Sequence, residues 1–129
     1  MPVVETHSFR LAFPESWQTS QLTPRCVLDG PNGQRLELSS VRLEGSGTPI
    51  ERARVKDELR ANILSTFTQM PADGSCLPRT ELQKHDSPSS EELYQQIFLS
   101  EDGAVIIGLF GLLNRSSAVL ATFEAPVLQ

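Results

Sequence analysis

Basic residues are in short supply: eleven Lys and Arg face sixteen Asp and Glu in 129 residues, leaving a formal charge of -5. That balance has no global source of the counterion release that draws proteins to nucleic acid, so DNA and RNA are not expected partners. Cysteine is scarcer still. Cys26 and Cys76 stand on separate segments with no CxxC or Cys/His cluster, so both are read as free thiols, and neither a metal nor a disulfide is expected. The two histidines are His7, near the start, and His85, in a polar stretch. Neither has the company that nucleophilic catalysis needs, and adjacency of His85 and Asp86 does not orient an imidazole against a nucleophile. A hydrolase built on His85 is therefore the least favoured reading; no enzyme activity and no cofactor are expected. Long apolar runs are missing too. The longest, Ala104 to Leu113, is about half of the roughly 20 residues that a membrane-spanning helix needs. Met1 to His7 has neither the basic start nor the apolar core of a secretory signal, so a cytoplasmic location without membrane insertion is expected.

What is present is the composition of a globular protein, 39% hydrophobic and 21% charged, at a length suited to one domain over residues 1–129. Phe9, Leu11 and Phe13 alternate with polar neighbours as in a strand with one buried face, ended by Pro14. Arg25 to Leu28 and Leu36 to Leu43 flank Asp29-Gly30-Pro31-Asn32-Gly33, a hairpin signal carried by the Asn-Gly pair. This segment is a turn rather than a phosphate loop, because it lacks the Lys-Ser/Thr ending and precedes a strand. The apolar phase slips between Leu38 and Val41, which predicts a bulge near Ser39-Ser40.

Thr48-Pro49-Ile50-Glu51 predicts a helix start, with an N-cap hydroxyl, Pro at the first helical position and Glu three residues after the cap. Ile50, Val55, Leu59, Ile63 and Phe67 mark its apolar stripe, and it should end near Thr68. Arg52, Lys56 and Arg60 form a basic stripe, read as a solvated face with Arg54 pairing Glu58, or else as a contact for an acidic partner. Beyond the helix, strands are predicted over Arg79–Gln83, Leu93–Leu99, Ala104–Leu113 and Ala118–Phe123, with a polar surface loop around His85 to Glu91.

A turn at Asp102-Gly103 sets Leu99 against Ile106, Ile97 against Gly108 and Leu93 against Leu112. One face then holds Leu93, Ile97, Leu99, Ile106, Phe110, Leu112, Val119, Ala121 and Phe123, an expected floor for the helix. The other holds Tyr94, Phe98, Val105, Ile107, Leu109, Leu113 and Leu120. A sheet with one helical cover should be polar on its free side, and this one is not. Either the amino-terminal segments with Phe9, Phe13 and Trp17 fold over that second face, or another chain or an apolar ligand covers it.

Phe13-Pro14-Glu15-Ser16-Trp17 followed by Leu28 to Leu38 resembles the opening of PsbP-like proteins, which include the DcrB-like group and the Eag-type chaperones of type VI secretion. The order of elements is similar over residues 8 to 124. The resemblance implies a sandwich without an active site that works by protein binding or by assisting assembly and secretion. Family members usually close with a helix on the second sheet face, whereas here only Glu124 to Gln129 remain, so the expected fold is an α+β antiparallel meander with one main helix, lacking that closing helix. That absence makes a homodimer or a bound partner segment attractive, as in the Eag-type dimers that shield apolar helices. The expected role is a non-enzymatic protein-binding module with Tyr94, Phe98, Ile107, Leu109 and Leu120 at the contact. The alternative is an immunity-type inhibitor masking a toxin with Asp86, Glu91, Glu92, Glu101 and Asp102. Glu91-Glu92 and Glu101-Asp102 lack Ca-loop spacing and are expected at solvated strand ends.

Overall fold

The computed structural model describes residues 1–6, 9–22, 25–42, 48–70, 76–87, 91–114 and 117–127. His7, and the stretch from Gly45 to Gly47 just before the helix, lie outside them. The elements in chain order are β1 (Val3–Glu5), β2 (Arg10–Ala12), β3 (Gln18–Gln21), β4 (Cys26–Asp29), β5 (Arg35–Arg42), α1 (Pro49–Gln69), β6 (Cys76–Pro78), β7 (Gln83–Asp86), β8 (Glu92–Ser100), β9 (Val105–Leu113) and β10 (Ser117–Pro126). The class is α+β, as expected: antiparallel pairings throughout, with one helix among the described residues.

The main sheet runs β3-β4-β5-β10-β9-β8-β6, with β7 also pairing β8, while β1 and β2 form a separate two-stranded ribbon. Two meanders are thus joined through the β5–β10 ladder, and α1 carries the chain from β5 across to β6. The predicted β8–β9 register holds residue for residue, with Leu99 opposite Ile106, Ile97 opposite Gly108 and Leu93 opposite Leu112. Gly103 adopts a φ of 72° at the turn, and Asp102 accepts from the Ala104 amide. The Asn32-Gly33 hairpin also forms, with Gly33 at φ 81° and Asp29 opposite Arg35.

Several local expectations change. Strand β5 pairs β10 without interruption from Arg35 to Arg42, so there is no bulge at Ser39-Ser40. Leu38 and Val41 lie on opposite faces of a regular strand, and Val41 is exposed. The register shift falls instead in β3, between Thr19 and Gln21. The strand expected over Arg79–Gln83 falls in the connection between β6 and β7, with only Gln83 in a strand, and the stretch around His85 expected as a surface loop is partly β7, with His85 opposite Leu93.

Helix α1 begins at the predicted cap. The Thr48 hydroxyl accepts from the Glu51 amide at 3.2 Å and the Glu51 carboxylate accepts from the Thr48 amide at 3.4 Å, satisfying two donors that the first turn would leave orphaned. Thr48→Ala should therefore lower stability by about 1 kcal/mol, read as a drop in urea midpoint that Thr48→Ser largely avoids. Ile50 sits at the start of the predicted stripe but is 83% exposed; the buried part of the helix begins later, with Ile63 and Phe67.

Helix α1 covers the opposite face of the sheet from the one expected. Ile63 and Phe67 pack on Tyr94, Phe98, Leu109 and Leu113, with Leu59, Leu64, Ile107 and Leu120 around them. This is the face expected to be free. The face expected to be the helix floor instead meets the amino-terminal ribbon, where Val4 and Phe13 pack with Cys26, Leu28, Leu38 and Val119, and Phe9, Leu11 and Trp17 border them. Two apolar faces therefore have two separate covers. Gly111 decides where α1 can sit close: a Cβ there would overlap Ile63 Cγ2, so the missing side chain lets the helix reach the sheet.

Candidate functional site

The helix-side face holds every residue expected at a partner contact, and the structure turns three of the five into interior and half-buries the other two. Tyr94 is buried, Phe98 and Leu109 are fully buried, and half-buried Ile107 packs against the same cluster. The chain's own helix, rather than a partner, removes them from water. Leu120 differs, because it lines an open groove between α1 and β5. No helix among the described residues is long and apolar enough to cross a membrane.

The strongest electrostatics of this face centre on Glu92. The residue opens β8 opposite Leu113, and alternation along β8 puts it on the same side as Tyr94 and Phe98. Its carboxylate accepts from Arg60 Nε and Nη2, each at 2.7 Å, and from the Tyr94 hydroxyl at 2.7 Å. Lys56 Nζ and Lys84 Nζ stand 3.8 and 3.7 Å away, and Lys84 also lies over the Tyr94 ring at 5.9 Å. Arg60 is bonded in addition to Asp57 at 2.6 Å. The bidentate Arg60 bond holds the Glu92 carboxyl down to about 2, against the penalty of burial. Burial first, then the bond to Glu92, pushes the Tyr94 hydroxyl up to about 12, and the same carboxylate raises Arg60. At neutral pH the cluster is a fixed anion held by cations, so its work is to clip α1 onto the start of β8.

This geometry revises both readings of the basic stripe. Lys56 and Arg60 neither point to a free solvated face nor wait for an acidic partner, because Glu92 of the same chain takes them up. It also divides the acidic set. Glu92 is buried and paired rather than solvated. Asp86 pairs Lys84 beside one end of β8, next to Glu91, while Glu101 and Asp102 follow the other end. Nine strand residues at about 3.3 Å each separate these ends by nearly 30 Å, so the five carboxylates do not form one patch. Asp102 is spent on its own turn, accepting from Ser100 and Ala104, and these bonds lower its pKa. Cys26 and Cys76 are both buried and form no disulfide, the Cys76 thiol donates to the Met70 carbonyl, and burial raises the Cys26 thiol.

The surface missed by the sequence reading lies on the opposite face. The ribbon and Trp17, which stacks on Phe123 with ring centroids 6.3 Å apart, reach over β4, β5 and β10. Toward β6, β8 and β9 an apolar row continues: Leu77 pairs Leu99, and Leu99 pairs Ile106. Leu77 is 61% exposed and Ile106 37%, and Ile97, Leu99 and Phe110 are half-buried. The β8 residues of this face from Leu93 to Leu99 include no charge; Gln95 is the one polar side chain. The expected helix floor is thus an open strip along this side, with its signal already present in the alternation.

No family model matches the chain. Over 113 residues, 88% of its length, it is 31% identical to the human E3 ubiquitin-protein ligase HECW1. The aligned region is 6% of that ligase.

Proposed function

We propose that this chain is a non-enzymatic protein-binding module that shields an apolar segment of a partner against the strip formed by Leu77, Ile97, Leu99, Ile106 and Phe110. The observation that carries the reading is an uncharged apolar row exposed beside a half of the same face that the amino-terminal ribbon covers. Exposed apolar area of this kind is a cost to a monomer and a source of affinity on docking. The resemblance to PsbP-like and Eag-type proteins supports a cytoplasmic, secretion-associated version of this role. A second copy of the chain is a competing occupant of the same strip.

The absence of charge from these rows predicts how binding responds to salt. A fluorescent Leu/Ala-rich helical peptide with lysine ends should bind with an affinity that changes less than about threefold between roughly 0.05 and 0.5 M NaCl. Leu77→Asp should weaken that binding about tenfold or more while leaving the melting curve in place, since its side chain already meets water; Ile106→Ser, at a more covered position, should weaken binding in the same direction. Binding unaffected by either change would move the contact elsewhere. Affinity that collapses with salt would favour the acidic, immunity-type reading. Sedimentation of the unliganded chain separates self-association, which the same substitutions would abolish.

A further inference from the structure

On the helix side of the sheet, α1 stops short of β5. Between them lies a groove of about 180 Å³, with Val41, Ala118 and Leu120 along its floor and Leu59 and Ile63 in its wall. A smaller recess of about 120 Å³ adjoins it and shares Ser39 and Leu120. The ladder explains this continuity. Val41 pairs Ala118, Ser39 pairs Leu120 and Glu37 pairs Thr122, three successive pairs on one face that together span about 13 Å.

Polarity changes along that line. The end beneath α1 is apolar, and the far end presents Thr122, Glu37 and Arg25; Glu37 stands 3.9 Å from both Arg25 and Arg35, and Arg35 is bonded in turn to Asp29 at 3.2 Å, so two cations and two carboxylates balance there. Apolar walls alone would accept any greasy group, so the polar end sets the choice. A head with a single charge that gained from Arg25 would be opposed by Glu37, and the reverse. A hydroxyl-rich neutral head donates to one and accepts from the other. Each lobe is smaller than the roughly 300 Å³ at which pockets for drug-sized ligands begin, which limits the tail to a short chain.

We propose that this two-lobed groove binds a short-chain amphiphile with an uncharged, hydroxyl-bearing head, its tail against Leu59 and Ile63 and its head beside Glu37 and Arg25. The site lies on the opposite side of the sheet from the apolar strip, so the two stand or fall separately.

Octyl glucoside, kept below its micelle threshold and titrated into isotopically labelled protein, should shift the amides of Ser39, Leu120 and Thr122 along saturable curves. Sodium octanoate should bind at least about fivefold more weakly, because Glu37 repels its carboxylate. Glu37→Gln should narrow that gap. Asn62 lines the groove from an exposed position on α1, so Asn62→Trp should fill the apolar lobe and weaken octyl glucoside about tenfold without changing the melting curve. Ser39→Leu blocks the waist from the sheet side and gives an independent second variant. Shifts that fail to saturate or that map elsewhere would overturn the site, as would affinity undiminished in both filling variants. Octanoate binding as tightly as the glucoside would overturn the neutral-head assignment.

Discussion

Arg60→Ala is expected to destabilise the fold by about 3 kcal/mol at neutral pH, because it strips the bidentate partner from a carboxylate that water hardly reaches. Lys56 and Lys84 remain within 4 Å of Glu92 and keep the cost at the lower end of the range for breaking a buried pair. Glu92→Gln should cost less. It leaves Arg60, whose side chain is 30% exposed, still bonded to Asp57, so the surviving charge is not stranded.

The direction of the pH response follows from the same bonds. The Glu92 carboxyl is depressed from 4.5 to about 2, so its contribution is complete above about pH 4.5 and is lost as pH falls toward 2. Arg60→Ala removes the largest cause of that depression, so the folded and unfolded carboxyl values draw together and less stability is lost between pH 7 and pH 3 than in the natural protein. Glu92→Gln should flatten this part of the profile. Urea titrations at pH 7 and pH 3 test both. A loss below about 1 kcal/mol for Arg60→Ala would mean that the pair behaves like an ordinary surface ion pair.

Gly111→Val should destabilise by about 2 to 4 kcal/mol, chiefly by lifting α1 from the sheet. In an isolated strand the change would be favourable, since Val suits a pleated backbone better than Gly does. Here the new Cβ meets Ile63 Cγ2, and Ile63 is itself buried and stiff at χ1, so neither side chain can yield cheaply. The Ile63→Ala change alone should also destabilise by leaving a cavity. Combined with Gly111→Val it should cost clearly less than the two separate losses added together, because each substitution relieves what the other creates. Additive losses in denaturant melts would show that the helix does not rest on Gly111.

The helix start, the β8–β9 register and the alternation of both sheet faces follow from local chemistry within the sequence. The Thr48–Glu51 box satisfies its own amides, and Asp102-Gly103 sets the cross-strand partners by turn geometry, so neither depends on distant contacts. Strand β7 carries no such signal. All four of its side chains are exposed, and it is a strand because it pairs the edge of β8. Glu92 left a fainter trace, as the charged end of the row that continues with Tyr94 and Phe98, but its partners Lys56 and Arg60 are more than thirty residues away.

Which face α1 takes was decided by tertiary structure alone. A period of two tells the two sides of a strand apart but carries no handedness, and both sides of this sheet are apolar. The crossover from β5 to β6, the room above Gly111 and the Arg60–Glu92 clip select the side that holds Tyr94 and Phe98. The amino-terminal ribbon then covers only part of the other face, leaving Leu77 and Ile106 exposed at its edge.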